Sequence, residues 1–256
     1  MEIIINNLKI NYEMTGSGPD VLLLHGWGSS LDIWARIVGM LSTKYRCTAV
    51  DFPGFGKSDM IEKAYTLDDY TRFVECFINE LGIENPHMIG HSHGGRTIIK
   101  MCADGMVSPE KIVLFDAAGI KPKRTLSGRF RLISFKTIKW FLTLPLLKTR
   151  SKILLEKARK HYGSDDYAAA PPFLRQTLVN LVNEDLTPLL PRVNAQTLLI
   201  WGENGKATPM WMGRKMEEKI PNAGLCEIKN AGHFSFADAA GQVDLILRSF
   251  FGMGVE

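Results

Sequence analysis

Short apolar runs bounded by glycine, proline and polar residues recur along the chain, at 20–24 (DVLLL), 46–50 (RCTAV), 86–90 (PHMIG), 111–115 (KIVLF), 197–201 (TLLIW) and 224–229 (GLCEIK). Their brevity and flanking glycines predict buried strands. Between most of them the apolar positions change to helical spacing. The clearest case is 67–81, where Leu67, Tyr70, Phe73, Val74, Phe77, Ile78 and Leu81 recur at i, i+3, i+4 steps and Gly82 supplies a stop. Residues 2–14 carry two β-rich runs around Asn6-Asn7, the signal of an antiparallel hairpin. This alternation predicts an α/β chain whose mostly parallel sheet is covered by helices on both faces.

The rhythm breaks once. From about 121 to 190 there is no convincing strand, only helix-like stretches interrupted by Pro122, Gly128, Pro145, Gly163, Pro171-Pro172 and Pro188. The expected organisation is therefore a core from 1–120 and 191–256, with 121–190 inserted as a helical cap. A chain of 256 residues, 45% hydrophobic and 23% charged, has ordinary globular composition and can bury one large core.

Net charge is +4, too mild for nucleic-acid binding by the whole chain, but it is unevenly spread. Lys121 to His161 holds 13 Lys and Arg against Glu156 alone, a net of +12, which leaves the remainder at −8. Phe130, Phe135, Trp140, Phe141 and several leucines are interleaved with these charges. A cap that packs its apolar face over a site and shows lysines to water has this composition. So does an interfacial helix that lies on anionic membrane or draws in acidic, acyl-bearing substrates. In either case the cap supplies an apolar pocket wall. The apolar stretch Trp140 to Leu147 contains Pro145 and is far shorter than the roughly 20 residues a membrane span needs. The N-terminal residues lack the pattern of a signal peptide, so the expected location is cytoplasmic. Cys47, Cys76, Cys102 and Cys226 have no metal-ligand or disulfide spacing and read as reduced packing residues. No metal or cofactor is expected.

Candidate chemistry lies at the strand ends. The strand ending at Ile89 runs into Gly90-His91-Ser92-His93-Gly94-Gly95, and a helix-like segment follows from Arg96 to Ala103. This is G-x-S-x-G in a strand–turn–helix context, where small residues on both sides of the serine let strand and helix approach closely and leave Oγ exposed above the sheet. The His93 N–H, at the start of the helix, would face a developing oxyanion. His25-Gly26-Trp27-Gly28 and Asp51-Phe52-Pro53-Gly54-Phe55-Gly56-Lys57-Ser58 follow two other strands. Asp51 reads as a turn-stabilising acceptor. His91 and His93 flank the serine and have no third ligand at metal spacing.

Together with Trp201-Gly202-Glu203-Asn204-Gly205-Lys206-Ala207-Thr208-Pro209 and Asn230-Ala231-Gly232-His233-Phe234, these motifs stand in the order of the α/β-hydrolase superfamily, which the sequence resembles over essentially its full length. The resemblance implies an eight-stranded, mostly parallel sheet, a cap inserted after the sixth strand, and an oxyanion hole from the N–H groups of Trp27 and His93. It implies Ser92 as nucleophile and His233 as general base, a role suited to imidazole near neutral pH.

The third triad member departs from the pattern. Relatives commonly place an aspartate where this chain has Gly205, which has no side chain to hold an imidazole. Asp116, directly after the sixth strand, is one replacement, and it reads equally well as a loop-capping residue at the cap hinge. Glu203 is a second, if strand-end geometry turns it toward the ring. The third alternative is that the acid is absent, which lowers turnover while the oxyanion hole and binding still support residual catalysis. The expected activity is hydrolysis of a small or medium carboxylic ester or thioester with an apolar acyl part, through an acyl-enzyme. Carbon–carbon bond hydrolysis and cofactor-free perhydrolysis are open to the same residues. The serine argues against dehalogenase and epoxide hydrolase chemistry, which use aspartate there. The rival class is a catalytically impaired or non-enzymatic protein that binds a small ligand without turning it over.

Overall fold

In the computed structural model, residues 1–121, 134, 137, 154, 167 and 169–254 are described. Most of the expected cap, including nearly all of the basic segment 121–161, lies outside them. The hairpin forms as expected. Strands β1 (Glu2–Ile5) and β2 (Leu8–Thr15) pair antiparallel, and Asn6 and Asn7 turn the chain at φ 50° and 65°, the left-handed conformations a two-residue hairpin needs. The other strands are β3 (Asp20–Leu24), β4 (Arg46–Val50), β5 (His87–His91), β6 (Lys111–Phe115), β7 (Gln196–Gly202) and β8 (Ala223–Ile228). They join β1 and β2 in one eight-stranded sheet ordered β1-β2-β4-β3-β5-β6-β7-β8, parallel from β4 onward.

Alternation along the strands divides the core. Leu22 and Leu24 of β3, Ile112 and Leu114 of β6, and Leu199 and Trp201 of β7 face one side. There they pack on α2 (Leu67–Glu80), α3 (His93–Ala103), α4 (Pro172–Asn183) and α5 (Met210–Lys219). Val21, Leu23, Val113, Phe115, Leu198 and Ile200 face the other side. They meet α1 (Ala35–Leu41), the short α6 (Ser235–Asp238) and α7 (Ala240–Phe250). Each fully buried aliphatic or aromatic side chain contributes roughly 1.5–3 kcal/mol through lost water contact. The α2 start is fixed by a capping box, in which Thr66 Oγ1 accepts from Asp69 N–H and the Asp69 carboxylate accepts from Thr66 N–H.

One helical boundary differs from expectation. α3 begins at His93 instead of Arg96, with Gly94 and Gly95 inside its first turn. The C-terminal helical segment is broken into α6 and α7 at Ala239 (φ −132°, ψ 47°). A 3₁₀ turn (Leu31–Trp34) leads directly into α1. Among the described residues no helix is long and apolar enough to cross a membrane.

Strand order reverses around β3, which has β4 on one side and β5 on the other. In an open parallel sheet a crevice opens at the carboxyl ends of the strands at such a point. Both HGWG and the serine turn lie there.

Candidate active site

Ser92 sits at the tip of the turn between β5 and α3 with φ 49° and ψ −103°, a conformation that is strained for any residue with a side chain. Its surroundings over-determine it. Ser92 N–H donates to the Phe115 carbonyl at 3.0 Å, and the Ser92 carbonyl accepts from Arg96 and Ala118 N–H at 3.1 and 3.0 Å. Gly94 N–H donates to the His25 carbonyl at 3.1 Å, and a Cβ on Gly94 would fall on the Leu24 carbonyl. The glycine is therefore required by the approach of α3 to β3. Ser92 itself is partly exposed.

His25 and Asp51 prove to be framework. The His25 ring is fully buried, with Nδ1 2.7 Å from the Gly26 carbonyl and Nε2 accepting from Phe52 N–H at 3.0 Å; burial lowers its pKa to about 4, so it is neutral. Asp51 accepts from Leu31 N–H, Lys57 N–H and the Asn11 side chain at 2.7–2.8 Å, the turn-holding role expected for it. The Trp27 and His93 backbone N–H groups make no hydrogen bond among the described residues. Both residues line the same cavity as Ser92, where unspent donors suit a developing oxyanion.

That cavity is about 460 Å³ and is also lined by Arg96, Leu178, Leu181, Thr208, His233 and Phe234. His233, partly exposed, comes from the loop after β8, and its backbone is tied to the serine strand: His91 Nε2 donates to the His233 carbonyl at 2.8 Å. The His91 pKa is lowered to about 3, first by burial and then by His233, so this ring is a neutral donor. The His93 ring is buried edge-on to Tyr70 at 4.6 Å, and its pKa is held well below the usual value by burial and by Arg96.

Asp116 was open to two readings, replacement acid or loop cap, and its hydrogen bonds favour the second. Asp116 is fully buried beside the site, at φ 43°, yet its carboxylate serves other donors. Oδ1 accepts from Gly202 N–H at 2.9 Å, and Oδ2 accepts from the Ser235 hydroxyl at 2.6 Å and Ser235 N–H at 3.4 Å. Among the described residues none of its hydrogen bonds goes to the imidazole. Burial raises its pKa to about 6 against the opposing effect of these bonds. Glu203 faces away, accepting from Asn230 N–H and pairing with Lys229 on the exposed rim. A residue the sequence reading passed over lies against the ring instead: Thr208 Oγ1 is 3.0 Å from His233 Nδ1 and 3.1 Å from the Asp116 carbonyl. Its signal was present in the sequence, since Thr208 immediately precedes the proline of the motif whose acid is missing.

The family model described as "Alpha/beta hydrolase family" matches residues 21–244. The chain belongs to the alpha/beta hydrolase family. Among its relatives within that family is a 2-hydroxy-6-oxononadienedioate/2-hydroxy-6-oxononatrienedioate hydrolase of Paraburkholderia phymatum, 26% identical over 96% of this chain and 91% of that protein. A 2-hydroxy-6-oxo-6-phenylhexa-2,4-dienoate hydrolase of Comamonas testosteroni is 25% identical over 96% and 92%. Among solved structures, a bacterial membrane phospholipase A superposes with a TM-score of 0.76 at 25% identity, covering 98% of this hydrolase-family chain and 85% of the other.

Proposed function

We propose that the protein is a serine hydrolase that cleaves a small carboxylic ester through an acyl-enzyme. One observation carries this reading: Ser92 at its strained turn, His233, and the two unspent N–H groups of Trp27 and His93 all line a single cavity. Ser92 Oγ attacks the carbonyl carbon while the imidazole of His233 takes its proton. The oxyanion is held by the Trp27 and His93 N–H groups. His233 returns the proton to the departing alcohol, and water then releases the acid by the same steps. The apolar lining of Leu178, Leu181, Val182, Met212 and Phe234 suits an apolar acyl part.

A second substrate reading is favoured by Arg96 and by the relatives' names. Hydrolases of 2-hydroxy-6-oxo-dienoates cleave carbon–carbon bonds in substrates that carry a carboxylate. Arg96 lines the cavity, with one terminal nitrogen donating to the Leu181 carbonyl and Nε without a partner among the described residues. Burial lowers its pKa only to about 10, so the guanidinium stays charged at neutral pH and favours an anionic group in the cavity.

The experiment is labelling with a fluorophosphonate probe beside turnover of p-nitrophenyl acetate and butyrate. Label and turnover are expected in the wild type, with both lost in Ser92→Ala. Thermal stabilisation by an acyl ligand with no labelling would make the protein a binder instead. Assay with a 2-hydroxy-6-oxo-dienoate separates the substrate readings. On that substrate Arg96→Met raises KM about tenfold or more, the scale of a lost charge-assisted contact, while KM for a neutral ester changes little.

A further inference from the structure

Thr208 stands where a carboxylate would hold the base, and its bonding determines which ring nitrogen carries the proton. A threonine hydroxyl has one hydrogen. Thr208 Oγ1 lies 3.1 Å from the Asp116 carbonyl, a group that can only accept, so the hydrogen points there. The face of the oxygen toward the ring, 3.0 Å from Nδ1, then presents a lone pair. His233 Nδ1 must be the protonated nitrogen, which leaves Nε2 with the lone pair that a general base needs. An amide at this place could donate to Nδ1 and select the opposite tautomer; a hydroxyl committed to a carbonyl cannot.

The hydroxyl is itself held in place. Trp201 Nε1–H donates to the Thr208 carbonyl at 2.8 Å, and Thr208 is 3% exposed. Asp116 works from both ends: its carbonyl takes the Thr208 hydrogen, and its carboxylate takes the hydroxyl of Ser235, two residues beyond the histidine. Thr208 and the histidine loop are thus anchored to one buried residue.

We infer that Thr208 is the positioning residue of His233, a hydroxyl relay to the Asp116 carbonyl in the place of the triad acid, with the Asp116 carboxylate fastening the loop that carries the ring. The inference rests on His233 as the base of the proposed hydrolase. A neutral oxygen selects the same tautomer as a carboxylate but places no negative charge beside the imidazolium, so turnover is slower than with a full triad.

The test uses Thr208→Val, which removes the hydroxyl at nearly constant volume, and Thr208→Ser, which keeps it; Thr208→Ala replaces valine if packing suffers. With p-nitrophenyl butyrate, Thr208→Val is expected to lower kcat by about ten- to a hundredfold with KM within about twofold, the scale of a lost orienting contact. Thr208→Ser is expected to restore kcat. Nitrogen-15 shifts of the His233 ring in its neutral form give a readout independent of turnover: protonated Nδ1 and bare Nε2 in the wild type and Thr208→Ser, and a mixture of tautomers in Thr208→Val. A wild-type ring protonated on Nε2, or a Thr208→Val protein with wild-type kcat and tautomer, overturns the inference. Failure of Ser92 to label or turn over ester would count against the hydrolase reading alone, because the ring shifts would still decide the role of Thr208.

Discussion

At position 116 a buried carboxylate accepts from Gly202 at the end of β7 and from the hydroxyl and N–H of Ser235 at the start of α6, and its pKa is raised to about 6 because burial outweighs those bonds. The sign of the pH effect follows. The unfolded chain titrates Asp116 near the usual 3.8 and the folded chain near 6, so the folded form binds more protons between these values. Stability from this group is therefore greatest at low pH, falls as pH rises from about 4 to about 6, and is flat above. Asp116→Asn keeps an acceptor for Gly202 and offers a donor to the Ser235 hydroxyl. Its melting temperature is expected to gain on wild type as pH rises from about 4 to about 6 and to hold that gain above, with kcat kept within about threefold, because the main-chain carbonyl that takes the Thr208 hydrogen is unchanged and the amide still bonds the Ser235 hydroxyl. Position 205 is the complementary test. A Cβ there meets nothing closer than 3.4 Å, with Asp116 Oδ1 at 3.7 Å, so the position accepts a β-carbon, and an aspartate there would stand beside a second carboxylate. Two such groups resist joint ionisation. Gly205→Asp is thus expected to raise kcat more in an Asp116→Asn background than in the wild type, measured as a double-mutant cycle. The serine, the histidine and the two N–H donors were legible in the sequence because each belongs to a local motif. The partner of the histidine was not. It depends on which of three side chains beyond the strand ends turns toward the ring, which only the folded geometry shows.

Among the elements, strands were legible nearly to their ends, because burial on both faces leaves continuous apolar runs such as DVLLL and KIVLF. Helix α2 was equally plain, and its capping box makes a checkable contribution: Thr66→Ala is expected to destabilise the protein by about 1 kcal/mol in urea titration, with kcat unchanged, since the cap lies outside the cavity lining. Helix starts near the site were harder to read. Gly94-Gly95 has turn composition, yet both residues are helical, and they are glycine because α3 passes the end of β3 and the segment after β6 too closely for side chains there. The break at Ala239 likewise leaves no mark in the apolar period of the C-terminal segment, which continues through it.

On the scale of the whole molecule, the sheet brings together segments that are far apart in sequence. The cavity draws on the loops after β3, β5, β6, β7 and β8, and on α4, while nearly all of the +12 stretch from 121 to 161 lies outside the described residues. Its role is open to a direct measurement. Contact with anionic lipid would make vesicle binding strong on phosphatidylserine-containing membranes and weaker as salt is added, whereas a water-facing cap would partition equally and weakly onto neutral and anionic vesicles. The alternation of strands and helices already implied the two-sided architecture, and the interruption after β6 implied an insertion. Neither could show that the rest of the chain, at −8, closes around a buried cation at Arg96.

The His91–His233 bond joins parts of the chain 142 positions apart and ties the loop that carries the proposed base to the strand that leads into Ser92. Loosening of that last loop would silence the protein while its sheet still stood, so heat should extinguish turnover some degrees before the bulk of the structure gives way.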